Sequence, residues 1–172
     1  AARAKGVETL RKIYHGRHEQ INQEARRLFR QYYSSPFFMF GLALYWAEGT
    51  KSLHNSRVSF TNTDACMLRL MLQWFRAFLG YDVGSMSAHL LLHIGHASRE
   101  QEIRTYWQQE LGILASAFRK TWWVRVPWKR EYENDMTYHG VLTLRVRQSK
   151  NSLRMIRTWL DCLRESPQVV VT

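Results

Sequence analysis

The segment 36–49, PFFMFGLALYWAEG, constrains this chain more than any other stretch. It carries no charge before Glu48, and apolar side chains fall on almost every side of a helix drawn through it. Such a helix has to be wrapped on most of its circumference. It is shorter than the ~18 apolar residues that a membrane span needs, so the wrapping must come from the protein itself. Ser35 followed by Pro36 is a start signal, a capping hydroxyl and then a ring already set to helical φ. Gly49 is the stop.

The remaining pattern supplies helices and strands in alternation. Residues 7–33 read as a basic helix with Val7, Leu10, Tyr14, Ile21, Leu28 and Tyr32 along one stripe. Arg57–Thr61 alternates as a half-buried strand, with a short partner expected around Thr50–Leu53. Asp64 opens a helix that Gly80 ends, with Met67, Leu68, Met71, Phe75 and Phe78 as its apolar stripe. Residues 88–95 alternate again, with His89 and His93 opposite Leu90, Leu92 and Ile94. Ser98 with Gln101 has capping-box spacing for a helix that Gly112 stops. Thr121–Val126 reads as a strand with Trp122, Val124 and Val126 inward and Arg125 outward. After a loop, Val141–Arg147 puts Leu142, Leu144 and Val146 inward, and Ser149 opens a last helix along Leu153, Ile156, Leu160 and Leu163. The last two strands are expected to pair antiparallel. The fold class is therefore α+β: one antiparallel sheet, helices packed on one face, the other face solvated.

Charge narrows the partners. The 172 residues carry 25 Lys+Arg against 14 Asp+Glu, a net charge of +11. Residues 1–33 hold +5, residues 34–112 are neutral, and residues 113–172 hold +6. Nineteen of the cations are arginine, the side chain suited to forked contacts with phosphate and guanine. Nucleic acid is the natural partner of such a surface. A membrane surface fits less well, because the basic segments lack a strongly apolar opposite face. Cys66 and Cys162 sit in apolar helical runs and read as small buried hydrophobes in a reducing compartment, hence the cytoplasm.

The outward strand positions are Arg57, Ser59, Thr61, His89, His93, Arg125, Thr143, Arg145 and Arg147, and none of them is acidic. An ordinary solvated sheet face would also be polar, but it would not be expected to exclude acids. That omission favours a face that meets double-stranded DNA. His89 and His93 lie roughly 13 Å apart on one strand face, too far to share a zinc ion. In the loop, Trp128 beside Lys129 and Arg130 is the candidate for base stacking, and it leaves an RNA-binding reading open.

Glu48 places a carboxylate in the last turn of its helix, where the macrodipole disfavours it by about 0.3–1 kcal/mol. A solvent-exposed acid at an ordinary helix end accounts for this; so does a Mg²⁺ ion, which takes carboxylates, waters and phosphate oxygens. Gly41, Ala43 and Ala47 supply small surface beside it, which would let a second helix approach closely.

This stretch resembles the motif helix of the LAGLIDADG homing endonucleases. Ala43, Leu44, Ala47, Glu48 and Gly49 fall on its G-L-x-x-A-D-G tail, with Ala for Gly and Glu for Asp. The wording GLALYWAEGTK, then VSFTNTD, is also similar to bacterial proteins that carry a helix-turn-helix ahead of such a domain. The resemblance implies a saddle-like antiparallel sheet that reads DNA. It implies a homodimer in which Ala43 and Ala47 pack helix against helix, and Glu48 as the catalytic, Mg²⁺-binding acid. Lys51, two residues past Gly49, stands nearest that acid among the basic residues and joins Lys129 and Arg130 as an expected DNA contact. On this reading residues 1–33 are a basic helical arm or linker, 34–166 the LAGLIDADG-like DNA-binding domain, and 167–172 a tail. The expected function is a nucleoid-associated, Mg²⁺-dependent, site-specific endonuclease. The alternative is a transcription regulator that kept the fold and lost cleavage.

Overall fold

The computed structural model describes residues 2–52, 57–126 and 137–166. Five helices and four strands follow in the order α1 (Ala2–Tyr32), α2 (Pro36–Glu48), β1 (Ser59–Asn62), α3 (Ala65–Leu79), β2 (Met86–His93), α4 (Glu100–Leu111), β3 (Trp122–Val124), β4 (Val141–Val146) and α5 (Lys150–Glu165). The fold is α+β with an open sheet of order β1-β4-β2-β3.

Local chemistry sets most of the helix ends. The Ser35 hydroxyl accepts the Phe38 amide and Pro36 opens α2. Asp64 accepts the Cys66 and Met67 amides at the start of α3. Gly80 and Gly112 close α3 and α4 in the left-handed region, where a side chain would be strained. The expected capping box at Ser98 does not form. A 3-10 segment occupies Ile94–Arg99, and α4 begins after it with no side-chain cap. Arg99 instead holds Glu102 in the first turn at 2.7 Å.

The core is an aromatic knot on the inner side of the sheet. Phe38 of α2 lies 6.0 Å from Trp74 of α3 and 5.2 Å from Trp159 of α5, ring centre to ring centre. Both indoles are fully buried, and each spends its N–H on a backbone carbonyl: Trp74 on Phe38 at 3.0 Å, Trp159 on Ala25 at 2.9 Å. A buried indole N–H without an acceptor would cost about 1–3 kcal/mol. Trp159 thereby docks α1 onto the body, helped by Arg26 with Glu165 and by Thr158 with Asn22. Ala25 and Phe29 of α1 are buried, so the boundary expected at residue 33 falls after a helix half that belongs to the core. Val7, Leu10, Ile13 and Tyr14, toward the other end of α1, are exposed.

Three expectations are corrected here. The sheet is mixed: β1–β4 and β4–β2 are antiparallel, but β3 runs parallel to β2 at the far edge and does not pair with β4. A strand reached through a helix, as β3 is through α4, can return parallel, which a hairpin cannot do. The proposed partner strand after Gly49 reduces to a single bridge from Gly49 to Phe60 and the Thr50 amide on the Ser59 carbonyl; residues 53–56 lie outside the described residues. Cys66 is exposed and Cys162 only half buried, both as free thiols.

α2 is also less enclosed than its composition suggested. Phe38, Gly41, Leu42 and Tyr45 are buried, while Phe37, Phe40, Ala43 and Ala47 face outward. Gly41 does not share the face of Ala43 and Ala47, because it lies against the Trp74 ring, which a methyl group there would overlap. Gly41→Ala should therefore destabilise the fold by about 1–3 kcal/mol, whereas Ala43→Ser on the open side should stay within about 0.5 kcal/mol. Urea unfolding of the two variants checks this; equal losses would contradict the assignment of the two faces.

Candidate nucleic-acid interface

Side-chain alternation sends Phe60, Leu142, Leu144, Val146, Ala88, Leu90 and Leu92 into the core. The opposite face is built in cross-strand rows. Ser59, Arg145 and Ser87 form one row; Thr61, Thr143 and His89 the next; Val141, Leu91 and Trp122 the third. No carboxylate stands on this face among the described residues. The ion pairs lie elsewhere, in α1, α3, α4 and α5. They consume Arg26, Arg27, Arg69, Arg76, Arg99, Arg104 and Arg164, and among the described residues leave the sheet-face arginines free of acids.

At the polar end of the face Arg57, Ser87, His89, Arg119, Arg147 and Gln148 line a concavity of about 380 Å³. Each wall is held by backbone. The Val146 amide donates to Val58 at 2.9 Å, placing Arg57 beside the end of β4. The Arg119 amide donates to Ala88 at 2.9 Å, and Arg104 grips the Arg119 carbonyl at 3.1 Å. Arg104 is in turn fixed by Glu100 and Thr121. The Thr121 hydroxyl and Arg104 hold the Glu100 carboxyl below the usual carboxylate range. The Arg147 amide donates to Ser85 at 3.0 Å, and its guanidinium donates to the Gly84 carbonyl.

His89 stands on the floor of this concavity, its ring 5.3 Å from that of Trp122 and its Nε2 3.3 Å from the Ser87 hydroxyl. Burial, and then the charges of Arg145, Arg119 and Arg57, push its pKa below the ordinary histidine value. An imidazole ringed by cations, with no acid beside it among the described residues, is an electrostatic deficit that an anion would relieve.

The expected contacts divide on inspection. Arg57, His89 and Arg147 come together in the concavity, and Thr61, Thr143 and Arg145 adjoin it. Ser59 is buried and its hydroxyl is bonded to Thr50. His93 is on the open face, but its Nε2 donates to the Val126 carbonyl at 2.7 Å and its Nδ1 accepts the Gly95 amide at 3.1 Å. The first bond holds the chain after β3 and the second the turn after β2. β3 is inverted relative to expectation: Trp122 and Val124 face outward, Trp123 packs on the core, and Arg125 shares the parity of Trp123. Two adjacent tryptophans read equally well in either register, and the pairing of Trp122 with Leu91 decides it. Trp128, Lys129 and Arg130 lie outside the described residues. Arg119, Ser87 and Gln148 went unforeseen; the doublet Arg119-Lys120 before a strand was the available signal.

Glu48 is exposed at the end of α2, and its carboxylate has no hydrogen bond or ion pair among the described residues. The dipole penalty is answered by Lys51, whose Nζ donates to the Trp46 and Ala47 carbonyls at 2.5 and 3.2 Å. Lys51 is thus a cap on α2 as well as a neighbour of the acid. Gly49 is extended rather than left-handed. It is required because a Cβ there would meet the Tyr45 carbonyl and ring.

Comparison with protein-family models, with curated proteins and with solved structures finds no match. No helix among the described residues is long and apolar enough to cross a membrane.

His89, His18 and His139 all have pKa values lowered in the fold. The unfolded chain therefore binds protons first as the pH falls, so stability is full above the ordinary histidine range and declines through it. A His89→Gln variant should lose less stability between about pH 7 and pH 5 than the parent. Chemical denaturation at both pH values measures this, and an identical pH dependence would exclude His89 as a contributor.

Proposed function

We propose that this chain binds double-stranded DNA through the open face of its sheet. The observation that carries the reading is the acid-free set of rows with the concavity at their end: among the described residues Arg57, Arg119, Arg145 and Arg147 have no carboxylate partner. Neutralising phosphates releases condensed counterions, which supplies the affinity. Thr61, Thr143 and Arg145 are of the right kind to contact base edges, and Trp122, Leu91 and Val141 offer apolar surface for thymine methyl groups.

The same reading assigns α2 to a homodimer. Phe40, Ala43 and Ala47 recur at helical spacing on its uncovered side, and small residues at 43 and 47 allow a second α2 to come close. Two Glu48 carboxylates would then flank the pseudo-continuous helix ends beside β1, the sheet edge. An exposed carboxylate without a partner among the described residues is a suitable ligand for Mg²⁺, and Glu48 is the residue that would hold it. The ion would supply positive charge at a scissile phosphodiester. The chain's own part is to place that acid against DNA bound by the sheet, with Lys51 keeping the helix end intact. A resident endonuclease activity of LAGLIDADG type follows from this arrangement. A regulator without cleavage would keep the sheet face and make Glu48 dispensable.

Binding should weaken steeply with salt, and Arg57→Gln should lower the slope of log K against log salt by about one. Fluorescence anisotropy over a salt series tests it; salt-independent binding would refute the reading. Glu48→Gln should leave DNA affinity intact and reduce Mg²⁺-dependent nicking of a plasmid library by roughly 100-fold or more. Nicking that survives the substitution would remove Glu48 from the chemistry. Ala43→Arg should leave a monomer in sedimentation equilibrium.

A further inference from the structure

We propose that the concavity of Arg57, Ser87, His89, Arg119 and Arg147 is a discrete oxyanion site that takes one phosphate group and binds a proton with it. This deepens the DNA reading and rests on it for the polymer that carries the phosphate.

Four separate parts of the chain converge on the site: the lead into β1, strand β2, the segment before β3 and the turn from β4 into α5. A general basic surface needs no such convergence. The guanidinium groups of Arg57 and Arg119 have no acceptor among the described residues, and Arg147 spends one donor on Gly84 and keeps the rest. Arginine forks suit the oxygens of a phosphate, and their donors would be charge-assisted. The backbone on either side is held by the Val58, Ala88 and Ser85 carbonyls and by Arg104, so little ordering has to accompany binding. Gln148 turns the chain in the left-handed region at φ 51° between β4 and α5.

His89 makes the site proton-linked. It is faced by Ser87 on its own strand, Thr143 and Arg145 on β4, Trp122 on β3, Arg119 before β3 and Arg57 before β1. The charged groups among these are all cations. In the free protein they favour neutral imidazole; a bound phosphate reverses the sign of the local field and favours imidazolium. Affinity is therefore highest below the histidine range and falls as the pH rises through the pKa of the complex. Internal phosphodiesters and terminal phosphomonoesters share this chemistry.

The test is a proton NMR titration of the full chain with inorganic phosphate, reading the His89 ring signal identified by its loss in His89→Gln. The expected result is a saturable shift at millimolar phosphate and a His89 titration midpoint that moves upward when phosphate is present. Arg119→Gln and Arg57→Gln, each verified as folded by circular dichroism, should weaken phosphate about tenfold. Arg76→Gln, paired with Asp82 away from the site, should change nothing. No saturable shift, or one that both variants retain, overturns the proposal. Duplexes with 5′-hydroxyl and with 5′-phosphate ends then compete against inorganic phosphate. Displacement by both identifies an internal diester, and displacement by the phosphorylated duplex alone identifies a terminal group. Phosphate binding with no competition from either duplex sustains the oxyanion site and defeats the DNA reading. DNA binding without phosphate linkage does the opposite.

Discussion

The rest of the structure depends on the burial of two indoles whose N–H groups both find backbone acceptors. Trp74 and Trp159 meet over Phe38, and their polar atoms close on the carbonyls of α2 and α1. Each ring contributes large apolar area, and each hydrogen bond fixes where a neighbouring helix can lie. Together they tie α1, α2, α3 and α5 into one layer. That layer takes up the inner face of the sheet and, among the described residues, leaves the outer face without a cover.

An uncovered sheet face is free to accumulate like charge, because its side chains are solvated and set no packing requirement. Such a face destabilises the fold through mutual repulsion of its arginines and keeps them available for an anion. The distribution of ion pairs makes this division physical. On the helices, several arginines are neutralised within one turn, as in Arg27 with Glu24, Arg104 with Glu100 and Arg164 with Asp161. Among the described residues the sheet-face arginines have no such partner. Burial first, and then the same unbalanced field, lower the His89 pKa inside the concavity.

Elements whose signals are local were legible in the chain. The start of α2 at Ser35-Pro36, the Asp64 cap, the glycine stops at 80 and 112, and the alternation of β4 each follow from contacts within a few residues. Signals that depend on a distant partner misled. The register of β3 rests on whether Trp122 or Trp123 meets Leu91, and its parallel direction on the path through α4. Ser98 has the spacing of a cap, but the chain from Ile94 to Arg99 coils as 3-10 and withdraws it. Gly41 reads as one of three small residues until Trp74 of another helix is seen against it. The candidate site behaves likewise: Arg57, His89 and Arg147 could be named from strand alternation, whereas Arg119 enters only because Ala88 and Arg104 hold its backbone in place.

By itself the sequence determined the α+β class, the helix ends, the cationic and acid-free character of the outward strand positions, and the acid at the end of an apolar helix. These follow from spacing and side-chain chemistry over short distances. Tertiary structure alone decided that β3 lies parallel at the edge of the sheet, that α2 keeps one side open along Phe40, Ala43 and Ala47, and that four stretches of chain meet around His89. The reason is that strand order and helix docking are chosen by whichever long-range arrangement buries Trp74, Trp107 and Trp159 with their N–H groups satisfied, and no local window contains that choice.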